Sequence, residues 1–403
     1  SAQGALAPGA VFLTSEANSP PRPPPPTPAM GCSNSNMPKE KTKTVGKVEE
    51  VPTQMMAWCA KAYGAEGNPA DTITNLTKET VDVPSPKAGQ VLIKVEMAAV
   101  NPIDWKLFSG GLDSIAPVTF PYVPGFDVAG TVVKLGEGVK DLTVGDKVCA
   151  DLGLVETCCK DTPLGPAGAF AEYAVALAST VSRRKNLTAA QTVGLPLAGL
   201  TSYQALFTGA GSSFKGEELG KLEKGQKLLV LGGATATGAL AIQLAKNVGA
   251  TVAATASPNL MPDGKTTKID FAKEMGADEV INYKDANWAE VLAGKEYDMI
   301  YDCVGDAEDW PKASAVLKKG GLFVSIANFG EVESTADHGF RIFLVKAHAP
   351  DLDKLLELVA SEKLKVPVDS SVPFEKVPQA LARSLKWQSA GKLCIQVSAE
   401  ASQ

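Results

Sequence analysis

Apolar residues along this chain come in two rhythms. From about residue 54, short β-rich runs at 91–95 (VLIKV), 130–133 and 147–149 are separated by Gly, Pro and Asp turns, the pattern of a small all-β unit. From about residue 228 the rhythm becomes strand then helix. Residues 227–231 read as a buried strand and 239–247 as the helix after it. Further apolar strands are expected at 251–256, 279–283, 298–302 and 322–326. Such alternation implies a parallel sheet covered on both faces. Beyond residue 346 the chain offers a helix at 352–361, a Pro-broken stretch and a last strand at 392–397. Residues 1–53 carry no apolar period, and 19–28 (SPPRPPPPTP) can only be extended, polyproline-like chain, so a disordered tail is expected there. The fold class is therefore α/β, with a β unit at 54–195, a doubly wound parallel-sheet unit at 196–345 and a closing segment at 346–403.

Bulk properties narrow the function classes. At 403 residues the chain exceeds what one core usually organises. A formal net charge of -6 gives no basic face for nucleic acid. No apolar run reaches the roughly 18–20 residues of a membrane span. The seven cysteines, Cys32, Cys59, Cys149, Cys158, Cys159, Cys303 and Cys394, are odd in number and irregular in spacing, which fits a reducing compartment better than a disulfide framework. Nothing in the tail resembles a secretory signal. Met30-Gly31-Cys32 begins an N-myristoylation pattern with Cys32 available for palmitate; it operates only if Met30 starts the chain, and two acyl groups would then hold the protein at a membrane. Cytoplasmic, membrane-associated and organellar locations all fit these features.

The sharpest chemical signal is LLVLGGATATG at 228–238, which runs directly into a helix. A strand, a tight Gly turn and a helix N-terminus offer unpaired N–H groups and a positive dipole end to a pyrophosphate. Gly233 and Gly238 fit the dinucleotide fingerprint, and Thr235 stands where a middle glycine is usual. Gly233, Thr235, Ala236, Thr237 and Gly238 are the expected cradle, with the Thr235 and Thr237 hydroxyls as candidate donors to phosphate oxygens. About 20 residues on, where an NAD site places a carboxylate, the chain reads ATAS at 254–257, and Lys265 and Lys268 follow. NADPH is favoured over NADH.

The segments NPID at 101–104, PGFDVAG at 124–130, VGDKV at 144–148, GAFAEY at 168–173, LPLAGLT at 195–201 and DCVG at 302–305 together resemble the medium-chain dehydrogenase/reductase superfamily, in its zinc-free quinone oxidoreductase and enoyl reductase branch. The resemblance covers residues 54–398. It implies a GroES-like β domain with a Rossmann domain inserted before its C-terminal part, and a family that commonly dimerises. It would put Asn101 and Thr201 by the nicotinamide and its ribose, and Asn328 by the carboxamide edge. Tyr283, Ser257 and Lys268 would lie near the adenosine 2′-phosphate, although 262–267 looks like an insertion. Where zinc-dependent relatives carry Cys and His ligands this chain has Asn101 and Phe126, and 195–200 holds no Cys, His, Asp or Glu. Adjacent Cys158 and Cys159 cannot reproduce a four-Cys lobe, so no metal is expected.

Hydride attack on the β-carbon of a conjugated carbonyl spreads charge through an enolate, which hydrogen-bond donors can stabilise without a Lewis acid. In this reading Asn101 orients the cofactor, Lys106 and Tyr122 are candidate donors to the carbonyl oxygen, and Asp104 and Asp127 organise backbone. The substrate would be an enone, 2-alkenal or enoyl compound. A quinone acceptor satisfies the same logic, and a non-catalytic NADPH-binding sensor or scaffold is the reading from another class.

Overall fold

A computed structural model of the chain describes residues 50–64, 69–113, 116–153, 168–208, 211–213, 215–330 and 332–398. The Pro-rich stretch, the Gly31–Cys32 acylation pattern and the Cys158–Cys159 pair lie outside them.

Runs such as KLLVL and TVAATA are apolar on consecutive positions because both faces of their strands are covered. They form the middle of a seven-stranded sheet. Its order is Glu279–Asn282, Thr251–Ala256, Lys227–Leu231, Tyr297–Asp302, Leu317–Ser325, Gly339–Leu344 and Ser212–Ser213. Every pairing is parallel except the last. The chain thus winds outward from Lys227–Leu231 in one direction and then returns to its other side with Tyr297–Asp302. A crevice opens where the winding reverses, at the C-terminal ends of those two strands.

The second sheet is mainly antiparallel: Val368–Pro373, Lys392–Gln396, Gln90–Val100, Asp127–Leu135, Lys147–Asp151 and Val181–Arg183, with Tyr173–Leu177 also paired to Gln90–Val100. Gln54–Ala60 and Leu76–Asp82, which the apolar pattern did not single out, form a separate two-stranded ribbon. The long strand Gln90–Val100 is buried along nearly its whole length and carries a register shift between Val95 and Met97. Glu96 at that shift is buried and charged, and three donors meet it: Arg184 Nη2 at 2.7 Å, Lys147 Nζ at 2.8 Å and Thr131 Oγ1 at 2.7 Å.

Two helices join the sheets. Pro196–Tyr203 begins with a proline at its first turn, where the missing N–H costs no bond. Ser202 Oγ on it donates to the Thr237 carbonyl at 2.9 Å, in the first turn of helix Ala236–Val248, which follows the first parallel strand. On the opposite side the Gly391 N–H, just before strand Lys392–Gln396, donates to the Ala234 carbonyl at 3.0 Å. No helix among the described residues is long and apolar enough to cross a membrane.

The strands Gln90–Val100 and Asp127–Leu135 approach so closely at Gly130 that a Cβ there would stand 2.1 Å from the Lys94 carbonyl oxygen. Backbone is the obstacle, so no side chain can yield. Gly130→Ala should destabilise the fold by about 3 kcal/mol. Denaturant unfolding checks it, and a wild-type midpoint would contradict the stated crowding.

Candidate active site

The phosphate loop is shaped by its own sequence. Gly232 has φ +88°, a left-handed conformation that side chains rarely adopt. A Cβ on Gly233 would meet Ala254 Cβ at 2.7 Å, and one on Gly238 would meet the Gly232 carbonyl at 2.2 Å. Thr235 is the N-cap of helix Ala236–Val248: its Oγ1 accepts from the Gly238 N–H at 2.9 Å and donates to the Gly232 carbonyl at 2.8 Å. The single hydroxyl proton is therefore committed inside the loop. In this geometry Thr235 serves the cradle as a cap, in place of the expected donation to a phosphate oxygen. The Ala236 and Thr237 N–H groups occupy the first helical turn, where no intrahelical acceptor exists, and they point the positive end of the helix into the crevice. Beneath the loop, burial pushes the Cys303 thiol up to about 12; the Thr237 and Thr235 hydroxyls and Tyr301 surround it.

The three residues expected near a 2′-phosphate are brought together. The Tyr283 N–H donates to the carbonyl of Ala256, next to Ser257, at 3.4 Å, and the Lys268 N–H donates to Asn259 at 2.9 Å. The inserted loop closes on itself through a Leu260–Thr267 bridge and an Asp263 carboxylate that accepts from the Lys265 and Thr266 N–H groups, so Lys268 stays beside this strand end. Its Nζ donates to the Ser389 carbonyl at 3.0 Å, and burial lowers its pKa, opposed by the Asp369 charge. Tyr283, Val304 and Phe329 are each more than half exposed and follow the parallel strands Glu279–Asn282, Tyr297–Asp302 and Leu317–Ser325; of these only Tyr283 is a sequence candidate. Asn328 is anchored after strand Leu317–Ser325, its N–H donating to Ser325 Oγ and its Oδ1 accepting from Gly330.

The antiparallel side carries a buried polar cluster. Asn101 precedes helix Pro102–Phe108, and the Asp104 carboxylate accepts from the Asn101 N–H at 2.7 Å and the Phe126 N–H at 3.0 Å. Asp127 Oδ1 accepts from the Leu197 N–H at 2.8 Å. Asp127 Oδ2 accepts from Asn101 Nδ2 at 2.9 Å and Lys392 Nζ at 2.9 Å, while Lys392 Nζ also donates to Asn101 Oδ1 at 2.6 Å. Lys392 was not among the sequence candidates; a lysine within the apolar strand KLCIQ was its only signal. Thr201, one face along from Leu197, donates Oγ1 to the Leu197 carbonyl at 2.7 Å. Burial pushes Asp104 up to about 8, against the pull of its two N–H donors, and pushes Asp151 up to about 7 with Asp127 adding to the rise.

The two candidate donors sit elsewhere in the β unit. Tyr122 is 3 % exposed and packs its ring against Phe108. Lys106 is partly exposed, with Nζ 5.8 Å from the Trp105 ring centroid and 5.7 Å from that of Trp387, and burial lowers its pKa. The donor set does not fit zinc. A carboxamide, a phenyl ring and an ammonium stand at or beside the ligand positions, and no group of three His, Cys, Asp or Glu side chains able to hold a metal occurs among the described residues.

Comparison with known proteins gives a consistent picture. Residues 87–185 match the alcohol dehydrogenase GroES-like domain, and 275–395 match a family described as zinc-binding dehydrogenase. An NADPH-dependent alkenal/one oxidoreductase, chloroplastic, from Arabidopsis thaliana is 36 % identical, over 86 % of this chain and 80 % of its own length. A chloroplastic quinone-oxidoreductase of Triphysaria versicolor is 33 % identical, over 78 % of this chain and 92 % of its own. The solved quinone oxidoreductase from Coxiella burnetii superposes with TM-score 0.68 at 26 % identity, covering 86 % of this chain and all of that one.

Two outcomes follow from the site geometry. Thr235→Ala should cost about 1 kcal/mol of stability through the lost cap. Thr235→Asn, a good cap, should restore both stability and NADPH affinity, and an affinity that fell equally in both variants would reinstate the hydroxyl as a phosphate ligand. Asp151, with a folded pKa near 7 against about 3.9 unfolded, keeps a proton that the unfolded chain has lost. Its contribution to stability is therefore full below about pH 4 and lost as the pH rises to about 7. The melting temperature of Asp151→Asn should gain on wild type between those limits, and a constant difference would remove Asp151 as the titrating group.

Proposed function

The chain belongs to the medium-chain dehydrogenase/reductase superfamily, and we propose that it is an NADPH-dependent reductase acting on the conjugated C=C of an enone or 2-alkenal without a metal. The observation that carries this reading is the donor set around Asn101, which offers hydrogen bonds and a committed ammonium where a zinc enzyme needs ligands. The names of the alkenal/one oxidoreductase and quinone-oxidoreductase relatives support the acceptor class, the latter favouring a quinone as the second reading. In this reading 196–345 binds the dinucleotide, and 54–195 with 346–403 forms the GroES-like unit.

NADPH, when bound, supplies the hydride. The chain holds the pyrophosphate on the Gly233–Gly238 loop, and the Ala236 and Thr237 N–H groups do that work. Ser257, Lys268 and Tyr283 meet the 2′-phosphate, where Lys268 would exchange its bond to the Ser389 carbonyl for one to a phosphate oxygen. Asn101, Thr201 and Asn328 orient the nicotinamide half. Of the two candidate donors to the acceptor's oxygen, Lys106 is better placed than Tyr122, because it is partly exposed and burial makes its ammonium easier to deprotonate. Both relatives are named as chloroplastic, which favours an organellar site over the cytoplasm.

Purified protein given NADPH and a panel of 2-alkenals, enones, quinones and simple ketones should oxidise NADPH with the conjugated acceptors and leave the ketones untouched. Silence with every conjugated acceptor would remove the enzyme reading and favour the sensor. Ketone reduction dependent on added zinc would remove the metal-free one.

A further inference from the structure

Lys392 is 2 % exposed and lies at the start of a central strand, where a lysine is costly unless its charge is used. Its stem has no slack: a Cβ on the neighbouring Gly194 would stand 2.8 Å from Lys392 Cγ. The ammonium is held 2.6 Å from Asn101 Oδ1 and 2.9 Å from Asp127 Oδ2. An ammonium can only donate, so the Asn101 atom facing it must be the oxygen. The Asp127 carboxylate can only accept, so the atom facing that must be the amide nitrogen. Turning the carboxamide over would set nitrogen against ammonium and oxygen against carboxylate. The two charges therefore fix the orientation of the carboxamide, which the capping box with Asp104 at the helix start also favours, and they leave one Nδ2 proton of Asn101 uncommitted to either of them.

We propose that Lys392 is a positioning residue for the reduction: it locks the Asn101 carboxamide as a hydrogen-bond donor to the nicotinamide half of the coenzyme. The proposal rests on the reductase reading above. Asp127 supplies the complementary half of the lock, and the Lys392 charge also pulls down the raised pKa values of the neighbouring Asp104 and Asp151. Without Lys392 the carboxamide keeps only its bond to Asp127, its plane is held less firmly, and the nicotinamide loses its register with the acceptor. The adenosine half, held by other residues, keeps most of the affinity.

The test is a double-mutant cycle on the full chain, with the conjugated acceptor that wild type reduces fastest. Lys392→Met keeps the stem and removes the charge; it should lower kcat about tenfold to a hundredfold, the scale of a misplaced reacting group, with KM for NADPH nearly unchanged. Asn101→Ala should lose as much, and the double variant should be no slower than Asn101→Ala alone. The primary isotope effect with 4-deuterated NADPH should rise in Lys392→Met as hydride transfer becomes limiting. A wild-type kcat in Lys392→Met, multiplicative losses in the double variant, or a lower kcat with an unchanged isotope effect would each overturn the proposal. Should Lys392→Met fail to fold, Lys392→Leu takes its place in the cycle, and Lys392→Gln, which keeps an N–H donor, should recover part of kcat. A wild type that turns over no acceptor defeats the reductase reading separately. The lock is then read from the nicotinamide fluorescence of bound NADPH, expected to shift in Lys392→Met, and identical emission would overturn it.

Discussion

The Asp127 carboxylate accepts three hydrogen bonds from three separate stretches of chain, and the geometry of the crevice depends on them. Oδ1 takes the Leu197 N–H, an otherwise unpaired donor in the first turn of helix Pro196–Tyr203, and Oδ2 takes Asn101 Nδ2 and Lys392 Nζ. Lys392 and Asn101 are 291 positions apart, yet their side chains meet at 2.6 Å. A carboxylate and an ammonium removed from water are tolerated only when paired and hydrogen-bonded, and here both oxygens are occupied. Removal of either partner strands the other as an uncompensated buried charge, a cost of about 3–5 kcal/mol. The cluster is thus all-or-none, and the elements bearing it cannot drift independently.

From Asp127 the constraint runs to the phosphate loop along a short path. The helix that Leu197 begins carries Thr201 on the way and ends near Ser202, whose hydroxyl is bonded to the Thr237 carbonyl. On the other side Gly391, next to Lys392, is bonded to Ala234 in the same loop. The loop is therefore tied at two points to the segments that place Asn101. A ligand stretched from the loop toward Asn101 meets a distance set by hydrogen bonds, which matters where small displacements of reacting atoms change rates steeply. Such ties replace what a rigid interface between two sheets would otherwise have to supply.

Much of this fold could be read along the chain. Strand 227–231 and strand 251–256 coincide with the observed elements, since strands buried on both faces write unbroken apolar runs. The crossover helix was read a turn short because its first turn, Ala236 to Gly238, carries no apolar period and is defined by the Thr235 cap. The ribbon Gln54–Ala60 with Leu76–Asp82 escaped notice because its second strand, LTKETVD, is mostly polar and half exposed. Within the site, glycines and the missing acidic residue after the second parallel strand were legible because they act locally. Lys392 was not, since its meaning comes only from pairing its strand with Gln90–Val100, which brings Asn101 alongside. Thr235 shows the converse limit: a hydroxyl has one proton, and only the three-dimensional turn reveals that the Gly232 carbonyl takes it.

The same cluster bears on which acceptors the site can serve. A cation does lie close to where zinc ligands would stand, but it is an ammonium already donating to Asn101 and Asp127, and at 2 % exposure it cannot reach a substrate oxygen. Reduction of a simple ketone concentrates a full charge on one alkoxide oxygen, which calls for a Lewis acid or a strong proton donor beside it. An enone or quinone delocalises the incoming charge over carbon and oxygen before any proton arrives, so neutral N–H donors and a dry cleft carry a larger share of the stabilisation. A site whose buried ammonium is spent on orienting an amide is suited to the delocalised acceptor, and its selectivity against ketones then follows from charge distribution in the transition state without any steric exclusion.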